Sequence, residues 1–106
     1  MSRTTRGIVL LLGLCAAAQA QEFPQRPMRI IVAFTTGTAA DIVARQLGAR
    51  LAETWGQGVV IENQGGAGGM VGSAAVAKSP ADGYTLVNGS TSTVVVSAHL
   101  YKSLSF

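Results

Sequence analysis

The chain is short of the residues that carry covalent and acid–base chemistry. Its 106 residues include one cysteine, Cys15, and one histidine, His99. The five acidic side chains, Glu22, Asp41, Glu53, Glu62 and Asp82, are scattered. A single cysteine closes no disulfide within the chain. A lone histidine beside Leu100 and Tyr101, without cysteines or grouped carboxylates, forms neither a metal-ligand set nor a nucleophile–base pair. Ser73 and Ser90 have no visible base, and nothing resembles a nucleophile elbow. These absences predict a chain that is not an enzyme, with no catalytic residue, metal or cofactor. The formal net charge is +3, of which Arg3 and Arg6 supply two. No basic stripe with interleaved aromatics follows them, so no nucleic-acid partner is expected.

What the sequence does have begins at its first residues. Arg3 and Arg6 open a basic start, residues 8–18 form an uncharged apolar run, and Ala18-Gln19-Ala20 supplies small residues at the −3 and −1 positions. This is the layout of a cleavable signal peptide over residues 1–20, with cleavage expected between Ala20 and Gln21. A membrane span is the weaker reading, because it needs about 20 apolar residues. Lipidation at Cys15 is also disfavoured, because Leu14 is not small. Taking residues 1–20 from 106 leaves 86, with no cysteine, six basic and five acidic side chains, a net +1. That length suits one small domain, residues 21–106, which buries only about 60–65% of its unfolded surface.

Residues 29–34 (RIIVAF) read as a strand buried on both faces. Thr35-Thr36-Gly37-Thr38 is turn chemistry, and Thr38 with Asp41 has capping-box spacing. A helix is predicted over 39–55, with Val43, Leu47, Leu51 and Trp55 facing a sheet, Asp41 placed to pair with Arg45, and Gly56 and Gly58 as the stop. Residues 59–62 read as a second buried strand, Gly65 to Gly69 as a glycine-rich loop, 70–78 as a second helix, and 84–88 as a third strand. Val94 to Leu100 fits helix or strand, with propensity favouring strand. The β-α-β-α-β order predicts an α/β fold in which the three strands are parallel neighbours.

In an open parallel sheet the three loops that follow the strands share the carboxyl edge, where ligands bind. They hold glycine and hydroxyl residues and start helices, which offer free N–H groups and a positive dipole end. That combination suits a small anion, a carboxylate or a phosphate. Ordinary βα turns use the same residues, and spacing alone does not separate the two readings. Asp41 can hold the N–H groups of the first loop and fix its shape; a plain first-turn acid is the other reading. The middle loop, Gly66 to Gly72, nearly imitates a dinucleotide fingerprint. Val71 stands where the third glycine belongs, and no acidic residue ends the next strand.

Several stretches stand in a familiar order: Arg29-Ile30-Ile31-Val32, Ala40-Asp41-Ile42-Val43-Ala44-Arg45, Val60-Ile61-Glu62-Asn63 with Gly66-Ala67-Gly68-Gly69, Ala75 to Lys78, Pro80 to Leu86, and Leu100-Tyr101-Lys102. Together they resemble the start of the Bug-type solute receptors, the extracytoplasmic binding proteins of tripartite tricarboxylate transporters. The resemblance covers essentially all of residues 21–106. It implies the parallel-sheet part of a two-lobed periplasmic binding fold, incomplete here because such chains are much longer. It implies a periplasmic, monomeric protein that closes on a small organic carboxylate and serves membrane components of a transporter. Carried over by position, the ligand loops are Thr35, Thr36, Gly37, Thr38 to Asp41, and Gly89, Ser90, Thr91, Ser92 to Thr93. The glycine-rich loop is a structural mark. The first loop departs from the family pattern of two prolines and two glycines: Thr35 and Thr36 replace the prolines and Thr38 the second glycine.

Two other readings stay open on sequence. One is an α/β enzyme or phosphate-cofactor module using the glycine loop, against which the missing catalytic set weighs. The other is a truncated product without function, which folds marginally or aggregates and binds solute without useful affinity by itself.

Overall fold

The computed structural model describes residues 22–104 and Phe106. The expected signal segment, residues 1–20, lies outside the described residues. Three strands, β1 (Met28–Val32), β2 (Val59–Asn63) and β3 (Thr85–Asn88), alternate with two helices, α1 (Ala39–Trp55) and α2 (Met70–Ala77). A tight turn, Ala67–Gly69, precedes α2. After β3 a wide-wound helical turn, Ser92–Val96, leads into α3 (Ser97–Leu100). The three strands form one parallel sheet in the order β2-β1-β3.

β1 is central, and its Met28, Ile30, Ile31 and Val32 are buried together with Ala33. β2 was expected to be buried as well, but β2 and β3 are both edge strands here. Each pairs with β1 alone among the described residues, and Val60, Leu86 and Val87 remain exposed. The chain steps from β1 through α1 to β2, then back past β1 through α2 to β3. Right-handed crossovers in opposite directions place the two helices on opposite faces. In the structure Gly48 of α1 lies over Ile61 and Val59, while Gly72 of α2 lies against Ala33 and the Gln64 carbonyl.

α1 has the predicted limits. Thr38 caps it by accepting from the Asp41 N–H at 3.4 Å. Gly56 closes it in the left-handed region, its N–H donating to the Ala52 carbonyl. That conformation suits a residue without a Cβ. The buried face is not the predicted one. Val43 and Leu47 are 58% and 51% exposed, whereas Asp41, Ala44 and Gly48 face inward and Leu51 and Trp55 are half-buried. Each step of four residues overshoots a full turn by about 40°, so a strict four-residue stripe rotates away from any one face. The residues that stay on the sheet follow three- and four-residue steps, and their small size lets α1 sit close to β2.

Residues 92–100 are helical, against the strand propensity of Val94-Val95-Val96. The Ser90 carbonyl accepts from the N–H groups of both Thr93 and Val94 at 3.0 Å, which starts the helical path directly after β3. At the opposite, amino edge of the sheet, Phe23 packs between Trp55 and Tyr84, with centroids 6.5 and 4.9 Å away. Arg26 lies over the Tyr84 ring and pairs with Asp82 at 2.6 Å. That edge is closed by side chains, which leaves the carboxyl edge as the end where loops and helix starts converge.

Candidate functional site at the carboxyl edge of the sheet

The strand order decides which loops are neighbours. β1 feeds α1 on one face. β3 feeds a helical segment whose Thr93 hydroxyl donates to the Gly68 carbonyl in the turn that leads into α2, on the other face. The order therefore reverses between β1 and β3, and the loops after these strands diverge around a crevice. A switch point of this kind is where open α/β sheets bind ligands. Both expected ligand loops leave it. Thr35, Thr36 and Gly37 are exposed and Thr38 half-buried; Gly89 and Ser90 are half-buried, Thr91 and Ser92 exposed.

The first loop is held from beneath. Asp41 is 2% exposed. Its Oδ2 accepts from the Gly37 N–H at 2.9 Å. Its Oδ1 accepts from Arg45 Nε at 3.0 Å and from Asn63 Nδ2 at 2.9 Å. The capping box is thus shifted by one residue, because the carboxylate returns to Gly37 rather than to Thr38. The Gly37 hydrogen bond, then Arg45 and Asn63, lower the Asp41 pKa from an ordinary 3.8 to about 2. Its charge is matched by Arg45 one turn on, as the Asp-to-Arg spacing predicted. The Thr38 hydroxyl donates back to the Thr35 carbonyl at 3.0 Å, drawing the loop into a tight hook. The Gly37 N–H is therefore engaged inside the protein. The Thr35, Thr36 and Thr38 groups are the part of this loop that faces outward.

The third loop is a hydroxyl cluster. Ser90 Oγ lies 2.5 Å from Ser92 Oγ and 3.5 Å from the buried Thr93 Oγ1. The Ser97 hydroxyl donates to the Ser92 carbonyl at 2.9 Å. The glycine-rich loop braces both neighbours. A Cβ on Gly65 would stand 3.2 Å from the Phe34–Thr35 backbone, and one on Gly69, at φ +93°, would collide with Thr93. These glycines are spacers where backbone meets backbone.

Asn63 and Asn88 were not among the predicted site residues. They are the last residues of β2 and β3, and both stand in register with Val32. Asn63 Nδ2 donates to Asp41 and, at 3.3 Å, to the Phe34 carbonyl; Asn88 Nδ2 donates to the Ala40 carbonyl at 3.0 Å. The available signal was an asparagine at the end of each of two strand segments, but only the strand order shows that both flank β1. Arg45 was read only as the partner of Asp41, and its Nη2 also donates to Asn63 Oδ1 at 3.0 Å.

The edge therefore presents hydroxyls, loop amides and the N-terminus of α1 around one internally neutralised carboxylate. The chemistry of such a surface suits an anion held through hydrogen bonds rather than through a counter-charge. Among the described residues no three of His, Cys, Asp or Glu gather to hold a metal ion. No helix there is long and apolar enough to cross a membrane.

Comparison with known proteins agrees with this architecture. The profile of the tripartite tricarboxylate transporter family receptor, TctC, matches residues 43–106. Protein BugT of Bordetella pertussis is 46% identical over 80 residues, covering 76% of this chain and 24% of BugT. Among solved structures, R. palustris Rpa4515 with adipate is 44% identical with a TM-score of 0.61, covering 62% of this chain and 22% of that one. MatC from Rhodopseudomonas palustris with bound malate is 43% identical with a TM-score of 0.58, covering 61% and 22%. The chain spans about a quarter to a third of the length of the first curated relatives it matches. With a family profile matched over more than half its length on a parallel α/β sheet of the same fold, the chain belongs to the Bug-type receptors of the tripartite tricarboxylate transporter family.

Proposed function

We propose that this segment supplies one wall of the binding site of an extracytoplasmic receptor for a small organic carboxylate, which delivers its solute to the membrane components of a tripartite transporter. The observation that carries the reading is the β1/β3 switch point, where two hydroxyl-bearing loops flank the start of α1. Thr35, Thr36, Thr38, Gly89, Ser90, Thr91 and Ser92 are the groups proposed to meet the solute. Gly37 and Asp41 serve from within the loop. Relatives of this fold have been solved with adipate and with malate, both dicarboxylates, which supports a carboxylate over a phosphate. Binding without chemical conversion fits the scarcity of acid–base groups at this edge.

Calorimetry on a full-length receptor carrying this segment tests the reading. Malate or adipate should bind, and the corresponding diamides should bind at least about tenfold more weakly, since hydrogen bonds to a charged group are worth about 1.5–3 kcal/mol. Equal affinity for acid and amide would refute the anion site. Export is the second half of the proposal, motivated by residues 1–20. N-terminal sequencing of periplasmic protein should begin at or near Gln21; a product that starts at Met1 or carries lipid on Cys15 would refute it.

A further inference from the structure

Resting on that carboxylate reading, we infer that Asn63 is a positioning residue of the ligand site, holding the loop between β1 and α1 in its ligand-receiving shape from the neighbouring strand. Its carboxamide has two N–H donors and one carbonyl, and all go to the first loop and its helix. Nδ2 donates to the Phe34 carbonyl at 3.3 Å and to Asp41 Oδ1 at 2.9 Å, and Oδ1 accepts from Arg45 at 3.0 Å. Phe34 lies where the loop leaves β1, and Asp41 lies in the first turn of α1. One side chain therefore ties the entrance of the loop to its exit. The middle is tied through the same unit, because the other oxygen of Asp41 holds the Gly37 N–H.

The alternative is an ordinary strand-ending asparagine, which bonds its own backbone within a few residues. Asn63 does not do so. Its partners lie 18, 22 and 29 residues away in the chain. The residue type follows from the geometry. An aspartate would set a second carboxylate against Asp41 and a lone pair against the Phe34 carbonyl. An alanine would leave both acceptors short of a donor. Asn88 supports the same loop from β3 by donating to the Ala40 carbonyl, so the start of α1 is held from both sides. None of the proposed solute contacts is made by Asn63 itself; it acts through Asp41, Phe34 and Gly37.

The test is amide hydrogen exchange followed by nuclear magnetic resonance on the full-length receptor, with calorimetry on the same samples. In the unmutated protein the Gly37 amide should be shifted downfield and should exchange more slowly than the exposed Gly68 amide. Asn63→Ala, and Asn63→Asp as a volume-conserving variant that keeps the Arg45 contact, should each speed Gly37 exchange about tenfold and weaken malate or adipate binding about tenfold. The Met28 amide, bonded to the Gly58 carbonyl at the far edge of the sheet, should keep its protection. Three results would overturn the inference: a Gly37 amide as fast as Gly68 in the unmutated protein, Gly37 exchange unchanged in both variants, or Met28 and Gly37 accelerated alike, which marks a general loosening. Failure of the unmutated protein to bind malate or adipate would overturn the carboxylate reading alone, and the Gly37 readout would still decide the role of Asn63.

Discussion

Replacing Gly72 by alanine should destabilise the protein, and the same replacement at Gly48 should not. Both glycines are buried in helices, on the side packed against the sheet. In each helix alanine is favoured over glycine by about 1 kcal/mol. What the new methyl group meets decides the sign. At Gly72 it would stand 2.8 Å from the Gln64 carbonyl oxygen and 3.0 Å from Ala33 Cα. Both are backbone atoms that cannot yield without moving β1 or the loop after β2. Overpacking of this kind costs about 1–3 kcal/mol. Net of propensity, Gly72→Ala should lose up to about 2 kcal/mol. At Gly48 the nearest atom is Ile61 Cδ1 at 3.0 Å, the free end of a side chain, followed by Val59 Cγ1 at 3.3 Å. Ile61 can turn aside, so Gly48→Ala should fall between neutral and about 1 kcal/mol more stable. Urea denaturation followed by circular dichroism reads both variants against the parent. Equal shifts of one sign would refute the argument, as would a Gly72→Ala variant more stable than the parent.

The Asp41 pKa of about 2 implies an acid-dependent contribution to stability. A folded-state pKa below the ordinary 3.8 favours folding above about pH 4, and that contribution is lost as pH falls toward 2. Denaturation midpoints measured across that window should drop for the parent, while Asp41→Asn should be less stable at neutral pH and flatter below it. A parallel decline in both would refute the assignment. Thr93 is fully buried and its hydroxyl donates to the Gly68 carbonyl at 3.2 Å, so Thr93→Val, which keeps the shape and removes the donor, should cost about 1 kcal/mol in the same assay. A stabilised Thr93→Val variant would show that the hydroxyl does not hold the glycine turn.

The three strands, the two helices between them and their order were legible in the residues because their signals are local. Residues 29–34 and 59–62 are β-branched runs between turns, and Thr38 and Gly56 bracket a helix through the chemistry of its two ends. The Asp41–Arg45 pair follows from a spacing of one turn. Gly65 to Gly69 was legible as a glycine-rich loop, and the parallel order alone put all three loops at one edge; what the glycines approach was not legible. Family membership came from the order of short stretches, none of which is distinctive by itself.

The tertiary structure decided the rest, because it depends on partners far away in the chain. That β1 lies in the middle, with the switch point between β1 and β3, follows from the directions of two crossovers and not from any residue pattern. The buried face of α1 was set by how close β2 allows a helix to approach, which selected Ala44 and Gly48 over the larger Val43 and Leu47. Residues 92–100 became helical where the Ser90 carbonyl and the Gly68 turn gave them partners, against their strand propensity. Asn63 and Asn88 gained a shared role because register with Val32 brings the ends of two strands beside one loop. Hydrogen-bond periodicity and capping act within one turn of chain and are written in the sequence; packing distance and strand order arise when separate segments compete for the same space.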